Sequence, residues 1–172
     1  MTHTRHLVVM GVAGVGKTTI AERLASDLGL VFAEGDDYHP QTNVDKMAAG
    51  GALTDEDRQP WLEALAAWTR EQHDADRSTA LSCSALRRSY RDVLRTGSRD
   101  TFFIHLVGAE KLLRDRMEER EHFMPVSLLR SQFDTLEPLD PDETGVTIDV
   151  AGGVDDVVAE ALAAVPPHRL DG

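Results

Sequence analysis

Short apolar runs alternate along this chain with longer stretches in which apolar residues recur every three or four positions. The runs at 7–10, 30–33, 79–83, 101–107 and 146–150 have the length of strands. The periodic stretches at 18–28, 60–73, 86–95, 109–120, 125–136 and 154–165 have the length of helices. Strands that alternate with helices predict an α/β fold, a parallel sheet covered on both faces. The longest excursion between strands runs from 35 to 78. It is too long for a simple crossover and predicts an insertion that carries binding residues. In the 60–73 stretch Trp61, Leu65 and Trp68 fall on one helical face, which reads as packing rather than as a ligand-stacking platform. Cys83 shares a strand side with Leu81 and reads as a buried, inert thiol.

Length and charge narrow the picture. A chain of 172 residues suits one domain, 1–172. Thirty acids stand against 18 bases, a formal net charge of -12. That balance lacks the basic footprint of a nucleic-acid or anionic-membrane binder, so neither partner is expected. With Cys83 the only cysteine, neither an internal disulfide nor a four-cysteine zinc site can form. Met1-Thr2-His3-Thr4-Arg5-His6 lacks the apolar run of a signal peptide, and no apolar stretch approaches the ~20 residues of a membrane span. A cytoplasmic protein is the expectation.

The most specific chemistry lies between the first strand and the first helix. Gly11-Val12-Ala13-Gly14-Val15-Gly16-Lys17-Thr18 fits the G-x-x-x-x-G-K-[ST] phosphate loop, and Thr19 continues into the helix. The glycines admit close backbone approach, successive N–H groups form an anion nest, and the helix adds its positive end. Lys17 is expected on the β- and γ-phosphates of a nucleotide, with the Thr18 hydroxyl on Mg²⁺.

Four further segments are candidates for the other half of a site. Gly35-Asp36-Asp37-Tyr38-His39-Pro40 follows the second strand, at the sheet edge where ligands bind in open α/β folds. Asp36 there is open to two readings, a base for a substrate hydroxyl or a turn residue. Thr54-Asp55-Glu56-Asp57-Arg58-Gln59-Pro60-Trp61 is acidic just before a helix, with Thr54 or Asp55 suited to cap it. Arg58 is out of place in a first turn and stands either for an anionic ligand or for pairing with its neighbours. Ser84 leaves the third strand on the ligand side, ahead of Arg87, Arg88 and Arg91. Arg87 and Arg91 share a face, either to grip a carboxylate or as a salt-bridged surface. Arg116 and Arg120 share a face before Glu121-His122-Phe123-Met124-Pro125, either a phosphate-closing lid or a charged surface helix.

Together these segments resemble bacterial-type gluconate kinase, the thermoresistant gluconokinase family of phosphate-loop kinases. The resemblance rests on the phosphate loop, Gly35-Asp36 with His39-Pro40, Asn43, Lys46-Met47 and Gly50, then Leu53, Asp55, Asp57-Arg58 and Pro60-Trp61-Leu62. It continues through Cys83-Ser84-Ala85-Leu86, Tyr90-Arg91-Asp92, His122-Phe123-Met124, Leu128-Leu129, Ser131-Gln132-Phe133 and Leu136-Glu137, and spans about 6–150. The resemblance implies a three-layer adenylate-kinase-like fold with a five-stranded parallel sheet, a substrate insertion at about 36–75 and a helical lid at about 114–135. It implies ATP- and Mg²⁺-dependent phosphorylation of D-gluconate at its 6-hydroxyl, commonly by a homodimer. Carried over by motif, Asp36 is the base, and Lys17 and Arg120 complete the catalytic set. Residues Gly11 to Thr19 with Arg116 and Arg120 bind nucleotide. Asp36, His39, Arg58, Ser84, Arg87 and His122 meet gluconate, and Thr18 holds Mg²⁺. The family usually has Ser at positions 13 and 18, Lys at 87 and Pro at 52, where this chain has Ala13, Thr18, Arg87 and Ala52. Thr18 keeps the hydroxyl, whereas an arginine fork at 87 reshapes whatever contact a lysine would make.

Two rivals fit less well. A kinase for another small hydroxylated acid, such as shikimate, or for a nucleoside monophosphate would not need the Asp-Arg-x-Pro-Trp block. A GTP-binding switch would need an Asn-Lys-x-Asp reader, which the chain lacks. The Asp-x-x-Gly match at Asp149-Val150-Ala151-Gly152 follows the last strand, where a switch loop would not sit.

Overall fold

The computed structural model describes residues 4–119 and 127–166. Among them five strands form one parallel sheet: β1 (His6–Met10), β2 (Val31–Glu34), β3 (Thr79–Ser82), β4 (Thr101–Val107) and β5 (Gly145–Asp149), in the order β2-β3-β1-β4-β5. Val8 of β1 lies opposite Leu81 of β3 and Phe103 of β4. The helices are α1 (Lys17–Leu28), α2 (Gln41–Ala48), α3 (Asp55–Asp74), α4 (Arg88–Arg95), α5 (Glu110–Glu119), α6 (Ser127–Thr135) and α7 (Val154–Ala164).

Burial explains the strand compositions. All five residues of central β1 are buried, as expected of a strand covered on both faces. Edge strands β2 and β5 alternate between buried and more exposed positions. The chain leaves β1 toward β2 and leaves β3 in the opposite direction, across β1, toward β4. Right-handed crossovers running in opposite directions put their helices on opposite faces. Accordingly α1 packs with α7, and α3 with α4. Connections also leave neighbouring β1 and β4 in opposite directions, which opens a crevice at the carboxyl end of β1.

The strand positions agree with the hydrophobic pattern to within about one residue. Three boundaries differ. The first is α3, which begins at Asp55 rather than at Pro60. Thr54 accepts from the Asp57 N–H while the Asp57 carboxylate accepts from the Thr54 N–H, a reciprocal capping box. Pro60 therefore sits in the second turn, where its missing N–H leaves the exposed Glu56 carbonyl to solvent. The second is α2, a short polar helix that apolar periodicity did not reveal. The third is α4, which starts at Arg88 because Ala85 adopts φ 46 and Arg87 is extended.

That late start separates Arg87 from Arg91. Arg91 is fully buried and donates to the carbonyls of Ala85 (2.9 Å), Glu137 (3.0 Å) and Pro138 (3.2 Å) and to the Glu143 carboxylate (2.7 and 2.9 Å). Arg88 pairs with Asp92, Asp140 and Asp142. These two arginines fasten α4 to the segment between α6 and β5. The salt-bridged reading holds for them.

Candidate active site

The phosphate loop sits between β1 and α1 at the crevice. Gly16 caps α1 at φ 92, a left-handed conformation that turns the loop's N–H groups inward. Lys17 Nζ donates to the Val12 carbonyl at 3.0 Å, folded back over its own loop. Burial lowers its pKa, opposed by the nearby carboxylates of Asp36 and Glu34. The loop's opening also faces Ser84, whose carbonyl accepts from the Gly11 N–H at 3.2 Å.

Beside the loop lies a cavity of about 260 Å³ bordered by Gly14, Gly16, Thr19, Arg116, Val150 and Val154. Arg116 is held there by donating to the Val150 carbonyl at 3.2 Å. On the other side Asp36, His39, Arg58, Leu128, Ser131 and Gln132 border a second cavity of about 40 Å³, room for a few water molecules. The phosphate loop thus lies between one pocket bordered by the Arg116 guanidinium and another bordered by a carboxylate, an imidazole and a guanidinium.

The Asp36 turn is built by its neighbours. It forms a 3₁₀ turn, Gly35–Tyr38, directly after β2. A Cβ on Gly35 would lie 2.1 Å from the Ser82 carbonyl oxygen, so only glycine lets the turn pass this close to β3. Trp61 Nε1 donates to the Gly35 carbonyl at 2.7 Å, and the Trp61 ring stacks on His39 with centroids 4.0 Å apart. Burial, reinforced by the Arg58 charge, pushes the His39 pKa down to about 4. His39 is therefore neutral near pH 7. Asn43 Nδ2 donates to His39 Nδ1 at 3.2 Å, which leaves the proton on Nε2, the nitrogen 3.8 Å from the Asp36 carboxylate.

The Asp-Arg-x-Pro-Trp block resolves into separate duties. Asp57 caps α3 and pairs with Lys46 at 2.7 Å; that hydrogen bond and the Thr54 N–H hold its carboxyl at about 2. Arg58 points the other way, donating to the Leu53 carbonyl (2.6 Å) and the Tyr90 hydroxyl (3.0 Å). Tyr90 in turn donates to Asp55, which also accepts from Arg87 at 3.3 Å. Arg58 and Arg87 are thus tied into one network through Tyr90 and Asp55, yet Arg87 does not border the Asp36 cavity. No carboxylate among the described residues forms an ion pair with Arg58. Arg120 and His122 lie outside the described residues.

Comparison with known proteins gives the lineage. A gluconokinase of Gluconobacter oxydans is 48% identical over 159 residues, covering 92% of this chain and 89% of the relative. The thermoresistant gluconokinase of Escherichia coli K12 is 37% identical over 166 residues, covering 95% of each. The chain belongs to the gluconokinase family. Solved structures agree: a sugar kinase from Janibacter matches with a TM-score of 0.91 at 50% identity, covering 94% of each chain. A gluconokinase from Sinorhizobium meliloti matches with a TM-score of 0.85 at 42% identity, covering 96% of this chain and 93% of that one. No protein-family model matches the chain.

Within this family fold, two groups at the site escaped the reading of the sequence. Glu34 ends β2 and accepts from the Thr18 hydroxyl. An acid at a strand end gave no signal of its own, although its place two residues before Asp36 could have supplied one. Gln132 of α6 accepts from the Ala13 N–H at 2.6 Å, across 119 residues of sequence. The Thr18 hydroxyl and Glu34 carboxylate are oxygen donors of the kind Mg²⁺ takes alongside nucleotide phosphates and water.

Proposed function

We propose that this chain transfers the γ-phosphoryl group of ATP to the 6-hydroxyl of D-gluconate, giving 6-phospho-D-gluconate and ADP. The observation that carries this reading is the pair of cavities flanking the phosphate loop. One is bordered by Arg116 and the loop, the other by Asp36, His39 and Arg58. Membership of the gluconokinase family supports the identity of both substrates.

In this reading Arg116 stacks against adenine, while the loop from Gly11 to Thr18 and Lys17 cradle the phosphates. Thr18, with Glu34 behind it, would hold Mg²⁺, which supplies charge neutralisation on the β- and γ-phosphates. Asp36 orients the acceptor hydroxyl and takes its proton. His39, neutral and stacked on Trp61, donates Nε2–H toward the acceptor side of Asp36 without competing for that proton. Arg58 offers its guanidinium to the acceptor carboxylate, with Ser84 as a further contact and Arg87 behind Arg58 through Asp55 and Tyr90. Residues at about 36–75 form the substrate insertion and those at about 114–135 the lid, to which Arg120 and His122 belong by resemblance. A homodimer and a cytoplasmic setting complete the proposal; light scattering coupled to gel filtration tests the former.

The deciding experiment is a coupled ADP-release assay over sugar acids, sugars, shikimate and nucleoside monophosphates. Gluconate is expected to drive turnover far above background. Turnover with another acceptor and none with gluconate would overturn the reading.

A further inference from the structure

Two of the phosphate loop's donors are engaged internally. Lys17 Nζ is turned onto Val12, and the Ala13 N–H is taken by Gln132 Oε1. The second contact comes from outside the loop, from a helix that also borders the acceptor cavity. Just past the end of α6 the chain is pinned to α4 and the segment before it: the Glu137 N–H donates to the Leu86 carbonyl at 2.6 Å, and Arg91 holds the Glu137 carbonyl at 3.0 Å. Gln132 therefore touches the donor loop and the acceptor pocket with one side chain, on a backbone that is anchored.

The geometry points to Gln132 as a positioning residue that stands in for the γ-phosphate and is handed to the acceptor pocket when ATP arrives. The inference rests on reading the loop at 11–18 as a triphosphate site. One N–H cannot serve two acceptors at full strength. A phosphate oxygen carries charge, and charge-assisted hydrogen bonds are roughly twice as strong as neutral ones, so the phosphate displaces the amide oxygen. With α6 anchored, the released amide remains at the wall of the acceptor cavity. An amide both donates and accepts, which suits the hydroxyls of a polyol. The acceptor cavity has room for only a few waters while Gln132 holds Ala13, so an acceptor needs such side chains to move. A diphosphate, which lacks the γ group, has no reason to evict Gln132.

The test measures binding of ADP and of a non-hydrolysable ATP analogue by calorimetry, and the KM for gluconate at saturating ATP. Gln132→Glu puts a carboxylate where the γ-phosphate must come; triphosphate affinity is expected to fall by about tenfold or more, with ADP affinity changed by less than about threefold. Gln132→Ala removes the competitor; triphosphate affinity is expected to hold or rise while the gluconate KM rises about tenfold, the worth of one lost hydrogen bond. Gln132→Met, similar in length but without the amide, should behave like the alanine variant and carries the test if the glutamate variant does not fold. Equal shifts in ADP and triphosphate affinity, or an unchanged gluconate KM in the alanine and methionine variants, would overturn the inference. If wild-type protein binds nucleotide but turns over no gluconate, the proposed acceptor fails, and the ratio of triphosphate to ADP affinity still decides the role of Gln132 at the loop.

Discussion

Asp36 owes its position to residues that do no chemistry. Gly35 lets the turn pass against Ser82, Trp61 ties the Gly35 carbonyl, and the Trp61 ring carries His39. Asp36→Asn keeps the shape and removes the proposed base. Its kcat is expected to fall by about 10²–10⁴ while ATP affinity is unchanged, the span of a lost general base. A variant turning over near the wild-type rate would remove Asp36 from that role. Trp61→Phe keeps an aromatic surface but leaves the Gly35 carbonyl unpaired, which should cost about 1–3 kcal/mol in urea denaturation. It should also raise the gluconate KM, because the turn beneath Asp36 and His39 loosens. The phosphate loop was legible in the sequence because its chemistry lies within eight consecutive residues, 11–18. The neutral state of His39 was not legible, since it depends on a ring 22 positions away and on Arg58. Gln132 was hidden for the same reason: nothing at position 132 tells that its amide reaches Ala13.

At the scale of elements, periodicity located every strand and all the longer helices, but it misplaced ends that local hydrogen bonds decide. Thr54 and Asp57 start α3 a turn before Pro60, and left-handed Ala85 delays α4. Those few residues change function as well as boundaries. They turn Arg58 toward Tyr90 and send Arg91 into the core rather than to a ligand. Burial opposes the charge on Glu143, yet hydrogen bonds from Arg91, the Asp140 N–H and Arg95 outweigh it and hold the carboxyl at about 2. Arg91→Met should therefore cost about 3–5 kcal/mol, because it strips the main partner from a buried carboxylate. Adding Glu143→Leu should recover part of that loss, since the uncompensated charge is then gone. Urea denaturation of both variants checks the pair. A loss below about 1 kcal/mol in the single variant would mean that water reaches Glu143.

Across the whole molecule, three histidines in separate places respond to acid in the same direction. His6, the first residue of β1, bonds Thr79 and Thr4 and faces His73 and Asp100. His39 stacks on Trp61, facing Arg58 and Asp36. His105 lies in β4 near Arg91 and Glu143, with neither ring nitrogen hydrogen-bonded among the described residues. Burial is the main cause in each, and each is pushed down to about 4 from 6.5. Between those values the unfolded chain binds protons that the folded chain refuses. Stability is therefore complete above about pH 6.5 and falls as the pH drops toward 4. Three protons give a limiting slope of about 4 kcal/mol per pH unit, and each histidine alone contributes at most about 3 kcal/mol. Glu143, at about 2, gives up its own contribution only at still lower pH. Urea midpoints between pH 7.5 and 5.0 should fall steeply, and His105→Phe should flatten the slope by about a third because one of three equivalent protons is removed. The same variant should not lose stability at pH 7.5 through hydrogen bonding, since His105 makes no such bond among the described residues. A midpoint that stays level from pH 7 to 5 would mean that the folded protein accepts these protons, and that burial does not hold the three rings neutral.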